Sequence, residues 1–206
     1  MPTPTQPLPD TPDDARFLRA LSLFDDYNRL DPNPLEWKGE KHPQEWLHAR
    51  FLDEWVTRLA PDASVPLRLA ARCQHIGRWE IPRSSFPEGR TGYLQWRNAL
   101  KQHHADIAGR LITRAGYGQE MVDAVIRIVQ KQGIKRDTEV QCMENALCLV
   151  FLEHQYDDFC RRYPDKVVSV LRKTWSKMDD AGRAAAQSLP LSAEGQRYLL
   201  AALAEG

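Results

Sequence analysis

The chain has 206 residues, 42% of them hydrophobic and 27% charged, which suffices for one sizeable core and is short for two full domains. Lysine plus arginine and aspartate plus glutamate both number 28, so no global field draws in nucleic acid or an anionic membrane surface. No apolar run approaches the ~20 residues of a membrane span. The opening MPTPTQPLPDTP has neither the basic nor the apolar part of a signal peptide, so a cytoplasmic protein with a short disordered, proline-rich tail over residues 1–11 is expected.

Helical periodicity follows almost everywhere. Thr11-Pro12 with Asp14 is a start signal, and Phe17, Leu21, Phe24 and Tyr27 recur at helical spacing until RLDPNP ends the run. Residues 43–60 predict a second helix, and residues 64–76 a third, opened by Ser64 with Pro66 in its first turn. Residues 77–92 hold three glycines and two prolines without a period, and a loop of that length in a compact domain is often functional. Helices are then expected over 93–115, ending at Gly116, and over 118–132, ending at Gly133. Thr138 and Gln141 form a capping box that opens a helix to about Tyr163. Pro164 begins another through Val167, Val168, Leu171 and Trp175, and 179–204 reads as one or two short helices around Leu189-Pro190. No period-2 strand pattern with a hairpin turn, no βαβ alternation and no internal repeat is found, so the expectation is all-α: a single compact multi-helix domain over 12–206. Cys73, Cys142, Cys148 and Cys160 form no C-x-x-C pair and are expected as free thiols.

Five of the six histidines fall at places that carry information. His48 is followed by Leu52, Trp55 and Leu59 on one helical face, and His75 lies on the face of Leu67 and Ala71. His104 sits mid-stripe among Trp96, Leu100, Ile107 and Leu111, with His103 bordering the same face. His154 follows Leu147, Val150 and Phe151, with Glu153 before it and Asp157 one turn on. Each could be a satisfied core residue. Together they need mutual partners, because an unpaired buried polar group costs free energy. A shared divalent transition metal would supply one, and imidazole with carboxylate suits Mn, Fe, Ni or Zn.

Arg78, Arg83, Arg90 and Arg97 cluster in or beside the 77–97 segment with Trp79, Tyr93 and Trp96. Guanidinium forks suit phosphate or carboxylate, so a small anionic substrate is expected there. The structural alternative is that Arg78 and Arg97 pair with Glu80, Glu88 or Asp106 and pin the loop. The strings HIGR (75–78) and WSKMDD (175–180) match the two signatures of a class I aminoacyl-tRNA synthetase. Such a signature needs a strand before it and a helix after it, whereas here a helix precedes it and a proline-rich loop follows.

HARFLDEWVTRL, AARCQHIGR, HHADIAGRL and CLVFLEHQYDDF, taken in order over about 44–160, resemble the HD-domain superfamily of metal-dependent phosphohydrolases. The resemblance implies a helical bundle, with residues 164–204 added as further helices. It implies metal ligands at His48, His75, His104 and Glu153 or His154, with Asp157 orienting a ligand or water, and hydrolysis of a small phosphorylated or nucleotide substrate. Arg78, Arg83, Arg90 and Arg97 would hold the anion, and Glu80 would act as general base. Aligned on Ile76-Gly77, Gln74 stands where that family has histidine and His75 where it has aspartate. Two readings therefore stay open: an enzyme, with a two-iron oxygenase on the same scaffold as a variant, or a degenerate module that binds a small anion or a protein partner. AARCQHIGRWEIPRSSFPEGRTGYLQWR and CLVFLEHQYDDF also resemble an uncharacterised domain-of-unknown-function family of bacteria and fungi, over nearly the whole chain.

Overall fold

A computed structural model describes residues 12–204, so Thr11 and the proline-rich tail expected over 1–11 lie outside the described residues. The all-α expectation is met. The described chain carries ten α-helices and one two-stranded hairpin, arranged as two compact units that interleave in sequence. The first unit takes residues up to Leu47 and Arg72–Gln130; the second takes His48–Ala71 and Lys131 onward.

In the first unit, α1 (Pro12–Asn28) packs on α4 (Gly89–Ala115), and α5 (Gln119–Val129) packs on α4 as well. Ala20, Phe24, Leu100, Ile107, Ile112, Val125 and Ile128 are buried there. The hairpin is a feature the periodicity did not disclose. β1 (Pro34–Trp37) pairs antiparallel with β2 (Glu40–Pro43), Pro34 opposite Pro43 and Trp37 opposite Glu40. Lys38 and Gly39 both have positive φ (52° and 82°), as a tight two-residue turn requires. The hairpin leads into α2 (Gln44–Leu59). Asp31, only 6% exposed, fixes that entry. Its carboxylate accepts from the Asn33 and Glu45 backbone N–H groups, each at 2.9 Å.

α3 (Val65–Cys73) ends in a corner that passes through two short 3₁₀ turns, Arg78–Glu80 and Arg83–Ser85, into α4. The 77–92 segment is therefore built rather than irregular, and α4 begins at Gly89, four residues before the expected start. The Arg83 guanidinium clasps the segment, donating to the Phe86 carbonyl (2.9 Å) and the Pro87 carbonyl (2.8 Å). A Cβ at Gly92 would fall 1.8 Å from the Pro87 oxygen, so only glycine fits where this loop meets the helix.

In the second unit, α6 (Thr138–His154) is flanked by α7 (Tyr156–Arg162), α8 (Val167–Lys177) and α9 (Asp180–Gln187), while α10 (Ala193–Leu203) packs on α7 and α8. The helix expected from Thr138 to about Tyr163 breaks at Gln155 (φ −128°), giving α6 and α7. Its cap is Asp137 rather than Thr138: the Asp137 carboxylate accepts from the Glu139 and Val140 N–H groups, an arrangement worth about 1 kcal/mol. None of the four cysteines forms a disulfide among the described residues, and Cys73, Cys148 and Cys160 are buried. Burial pushes the Cys148 thiol up to about 12 and that of Cys142 to about 11. No helix among the described residues is long and apolar enough to cross a membrane.

Candidate functional site

The corner after α3 is where the first unit concentrates chemistry. Gln74 and Ile76 are buried, and the Gln74 amide donates to the Val129 carbonyl at 3.0 Å. The chain then turns through Gly77 at φ 70°. A Cβ there would lie 2.4 Å from Ile107 Cδ1 and 3.0 Å from His103 Nε2, so both the left-handed backbone and the close approach of α4 demand glycine. This turn aims the Ile76 carbonyl at α4, where His104 Nδ1 lies 2.7 Å away.

A carbonyl only accepts, so His104 carries its proton on Nδ1 and its lone pair on Nε2. The ring is 4% exposed. Burial pushes its pKa down to about 4, and the nearby Arg78, His103 and Arg97 act in the same direction, against the Ile76 carbonyl. His104 is therefore neutral near pH 7. His75 stands beside it, ring centroids 5.9 Å apart. Glu45, at the start of α2 and with a side chain only 3% exposed, faces His75 Nδ1 and Arg78 Nε, each at 3.8 Å. The Arg78 guanidinium lies 5.1 Å over the Trp96 ring, whose indole N–H donates to the Ile81 carbonyl at 2.9 Å. Both imidazoles thus turn Nδ1 toward an oxygen, the orientation by which a histidine offers Nε2 to a metal or a proton.

Next to this pair lies a relay. Tyr27 OH donates to Glu80 Oε1 at 2.7 Å, and Glu80 Oε2 lies 2.9 Å from His103 Nε2. Partial burial, then the Glu80 bond and charge, raise the Tyr27 hydroxyl to about 12. Glu80 is thereby a positioned carboxylate with two partners. Arg97 is near enough to bear on both Arg78 and His104, whereas Arg83 is spent on the loop carbonyls and Arg90 is exposed on the first turn of α4.

The second unit gathers the other expected ligands. Glu153 accepts from the Trp55 indole at 2.7 Å, with Arg58 at 3.9 Å and His154 Nε2 at 3.2 Å. The His154 ring stacks on Phe51 at 3.7 Å between centroids, and burial lowers its pKa, against the pull of Glu153. His48 Nε2 meets the Gln155 amide at 3.3 Å. Asp157 accepts from Ser192 Oγ at 2.7 Å, and that same hydroxyl caps α10. The ligand set expected from the histidine spacing is therefore shared out, His75 and His104 in one unit and His48, Glu153 and His154 in the other. Among the described residues, no three of His, Cys, Asp and Glu are grouped as a metal ion needs.

Three participants escaped the sequence reading. Glu45 heads the stripe Ala49, Leu52, Val56, a signal that was available and unused. His103 was placed on the edge of its face and Tyr27 only at helical spacing behind Phe24; the partner of both, Glu80, comes from a turn that no periodicity describes.

The molecule is thus an all-helical protein whose first unit carries a histidine–carboxylate–arginine cluster at a helix corner. The family model described as a domain of unknown function (DUF4202) matches residues 18–199, and the chain belongs to that family. No curated protein and no solved structure matches it.

Proposed function

We propose that this protein is a cytoplasmic hydrolase of a small phosphorylated substrate, centred on the corner of the first unit and related in design to the HD-domain phosphohydrolases. One observation carries it: His104 is held neutral with its lone pair on Nε2, beside His75 and backed by a buried carboxylate. That donor chemistry fits a divalent transition metal, Mn, Fe, Ni or Zn, held by His75 and His104. When bound, such an ion polarises a phosphoryl oxygen and lowers the pKa of water. The chain's own part is to bind and to move a proton. Arg78, fixed by Glu45 and Trp96, and Arg97 hold the phosphoryl oxygens, and His103, oriented through Nε2 by Glu80, transfers a proton.

A second function, binding a small anion without chemistry, is favoured by Gln74. Where the HD family has its first metal-binding histidine of the doublet, this chain has a buried amide engaged in holding the Val129 carbonyl. Metal analysis of protein purified without chelator separates the two, together with a panel of phosphorylated metabolites assayed with each of the four metals. Near-stoichiometric metal and hydrolysis, both lost in His75→Ala, are expected. A folded, metal-free protein inert toward every substrate refutes the hydrolase.

A further inference from the structure

The second unit carries an open cavity of about 420 Å³, within the range of small-molecule sites. None of the residues singled out by the histidine or arginine patterns lines it. Its wall carries four cations, Lys135, Arg136, Lys177 and Arg183, against two carboxylates, Asp137 and Asp179.

The carboxylates are already engaged. Asp137 caps α6 through the Glu139 and Val140 N–H groups. Asp179 caps α9 through the Gly182 N–H and accepts from the buried Asn145 amide at 2.7 Å. Their charge therefore complements helix N-termini. Two of the four cations are engaged and two are not. Lys177 lies 3.4 Å from the buried Glu144, which also pairs with Lys131; Arg183 lies 3.7 Å from the fully exposed Asp180, and its Nε donates to the Trp175 carbonyl at 3.3 Å. Lys135 and Arg136 are exposed, and neither makes an ion pair with a described residue. Lys135 holds φ at 70°, and it lines the cavity next to Arg136. Thr138 adds a hydroxyl donor on the same wall.

We infer that this cavity is a binding site for a phosphoryl-bearing small anion, with Lys135 and Arg136 as its principal charge contacts and Arg183 and Thr138 completing the cradle. Convergent cations with a hydroxyl donor match the several acceptor oxygens of a phosphoryl group, and the volume leaves room for more than one such group or for an organic moiety. The site is independent of the corner cluster, since every lining residue belongs to the second unit.

Isothermal titration of the full chain at low ionic strength tests it, with pyrophosphate, orthophosphate and a nucleoside 5′-monophosphate as probes and sulfate as control. Saturable one-to-one binding of at least one phosphoryl probe is expected, tighter than sulfate. The Lys135→Gln/Arg136→Gln double variant, altered only at exposed side chains, should weaken it about tenfold or more. His75→Ala and Arg97→Gln, the latter removing a proposed phosphoryl contact of the corner, should each leave it unchanged, which separates this site from the proposed hydrolytic centre. Pyrophosphate bound tighter than the monophosphate assigns an inorganic ligand, and the reverse order a phosphorylated metabolite; both support the site. Absence of binding at millimolar probe, equal affinity in wild type and double variant, or loss in either His75→Ala or Arg97→Gln would overturn it.

Discussion

Acidification should destabilise this protein through His104. In the unfolded chain the imidazole titrates near its ordinary 6.5; in the fold it titrates at about 4, because burial first, and then Arg78, His103 and Arg97, disfavour the charged ring. Above the unfolded value both states hold the ring neutral, and the full stability is present. As pH falls from 6.5 towards 4, the unfolded state takes up a proton that the folded state refuses, and stability is lost. At about 1.4 kcal/mol per pH unit, that interval is worth about 3 kcal/mol. The informative variant is His104→Asn. Its side-chain amide can occupy the Nδ1 position and donate to the Ile76 carbonyl, so the corner bond survives while the titrating ring is gone. Urea denaturation of both proteins at intervals from pH 7.5 to 4 gives the difference in unfolding free energy, in which every other titrating group largely cancels. Wild type should be the more stable at neutral pH, and its advantage should shrink by about 3 kcal/mol over the acid limb. Parallel pH profiles, agreeing within about 0.5 kcal/mol, would show that His104 is not a buried neutral ring and would remove the basis for its lone pair at Nε2.

Gly77→Ala should cost about 2–4 kcal/mol, the sum of a left-handed alanine and a Cβ driven into Ile107 and His103, and thermal unfolding measures it directly. If Gly77→Ala unfolds no earlier than wild type, the corner is not as tight as described. Glu144→Gln should cost about 2–3 kcal/mol by replacing the charged acceptor of Lys131 and Lys177 with a neutral amide. Burial alone would raise the Glu144 carboxyl, but Lys131 and Lys177 outweigh it and hold the pKa below the ordinary value. The contribution of Glu144 is therefore complete above the unfolded value near 4.5 and lost as pH falls through the lower folded one. Denaturation at pH 7 and pH 3 should show the Glu144→Gln penalty smaller at the second than at the first.

Much of the helical skeleton was legible because it obeys a period. The stripes that predicted α2 and α4 run through buried positions, Leu52 and Trp55 in the first and Leu100, His104 and Ile107 in the second, whereas α6 is buried almost all round and of Leu147, Val150 and Phe151 only Val150 is fully inside; the break at Leu189-Pro190 separates α9 from α10. What the period could not show depends on single residues in special conformations. The hairpin has strands of four residues, too short for alternation to stand out; its signal was Lys38-Gly39, two positions that accept positive φ. The split of α6 from α7 at Gln155 has no proline or glycine to announce it, since HQYDD reads as continuous helix. Asp137 displaced Thr138 as cap because a carboxylate one residue earlier reaches two N–H groups at once.

For the candidate site, spacing could say which side chains face inward but not which of them face one another. His75 and His104 were read as inward-facing on separate helices, and they do lie side by side; His154, read by the same rule, is stacked on Phe51 next to Glu153 instead. Glu153 shows how the difference arises. As a residue type it was an eligible ligand, but the Trp55 indole and Arg58 meet it from α2, and a carboxylate so engaged orients its neighbours rather than awaiting an ion. Glu45 is the converse: it opens a helix, where an acid is ordinary, yet its buried side chain stands against His75 and Arg78. The departure at Gln74-His75 can also be restated physically. Gln74 is taken by the backbone of α5, so the corner offers one imidazole where a His-Asp doublet would offer two donors, and the His104 ring of α4 lies beside it, 5.9 Å between centroids. The chemistry proposed for the corner then turns on His104 Nε2, a donor atom on a buried ring that the fold leaves neutral and aimed away from its own hydrogen bond.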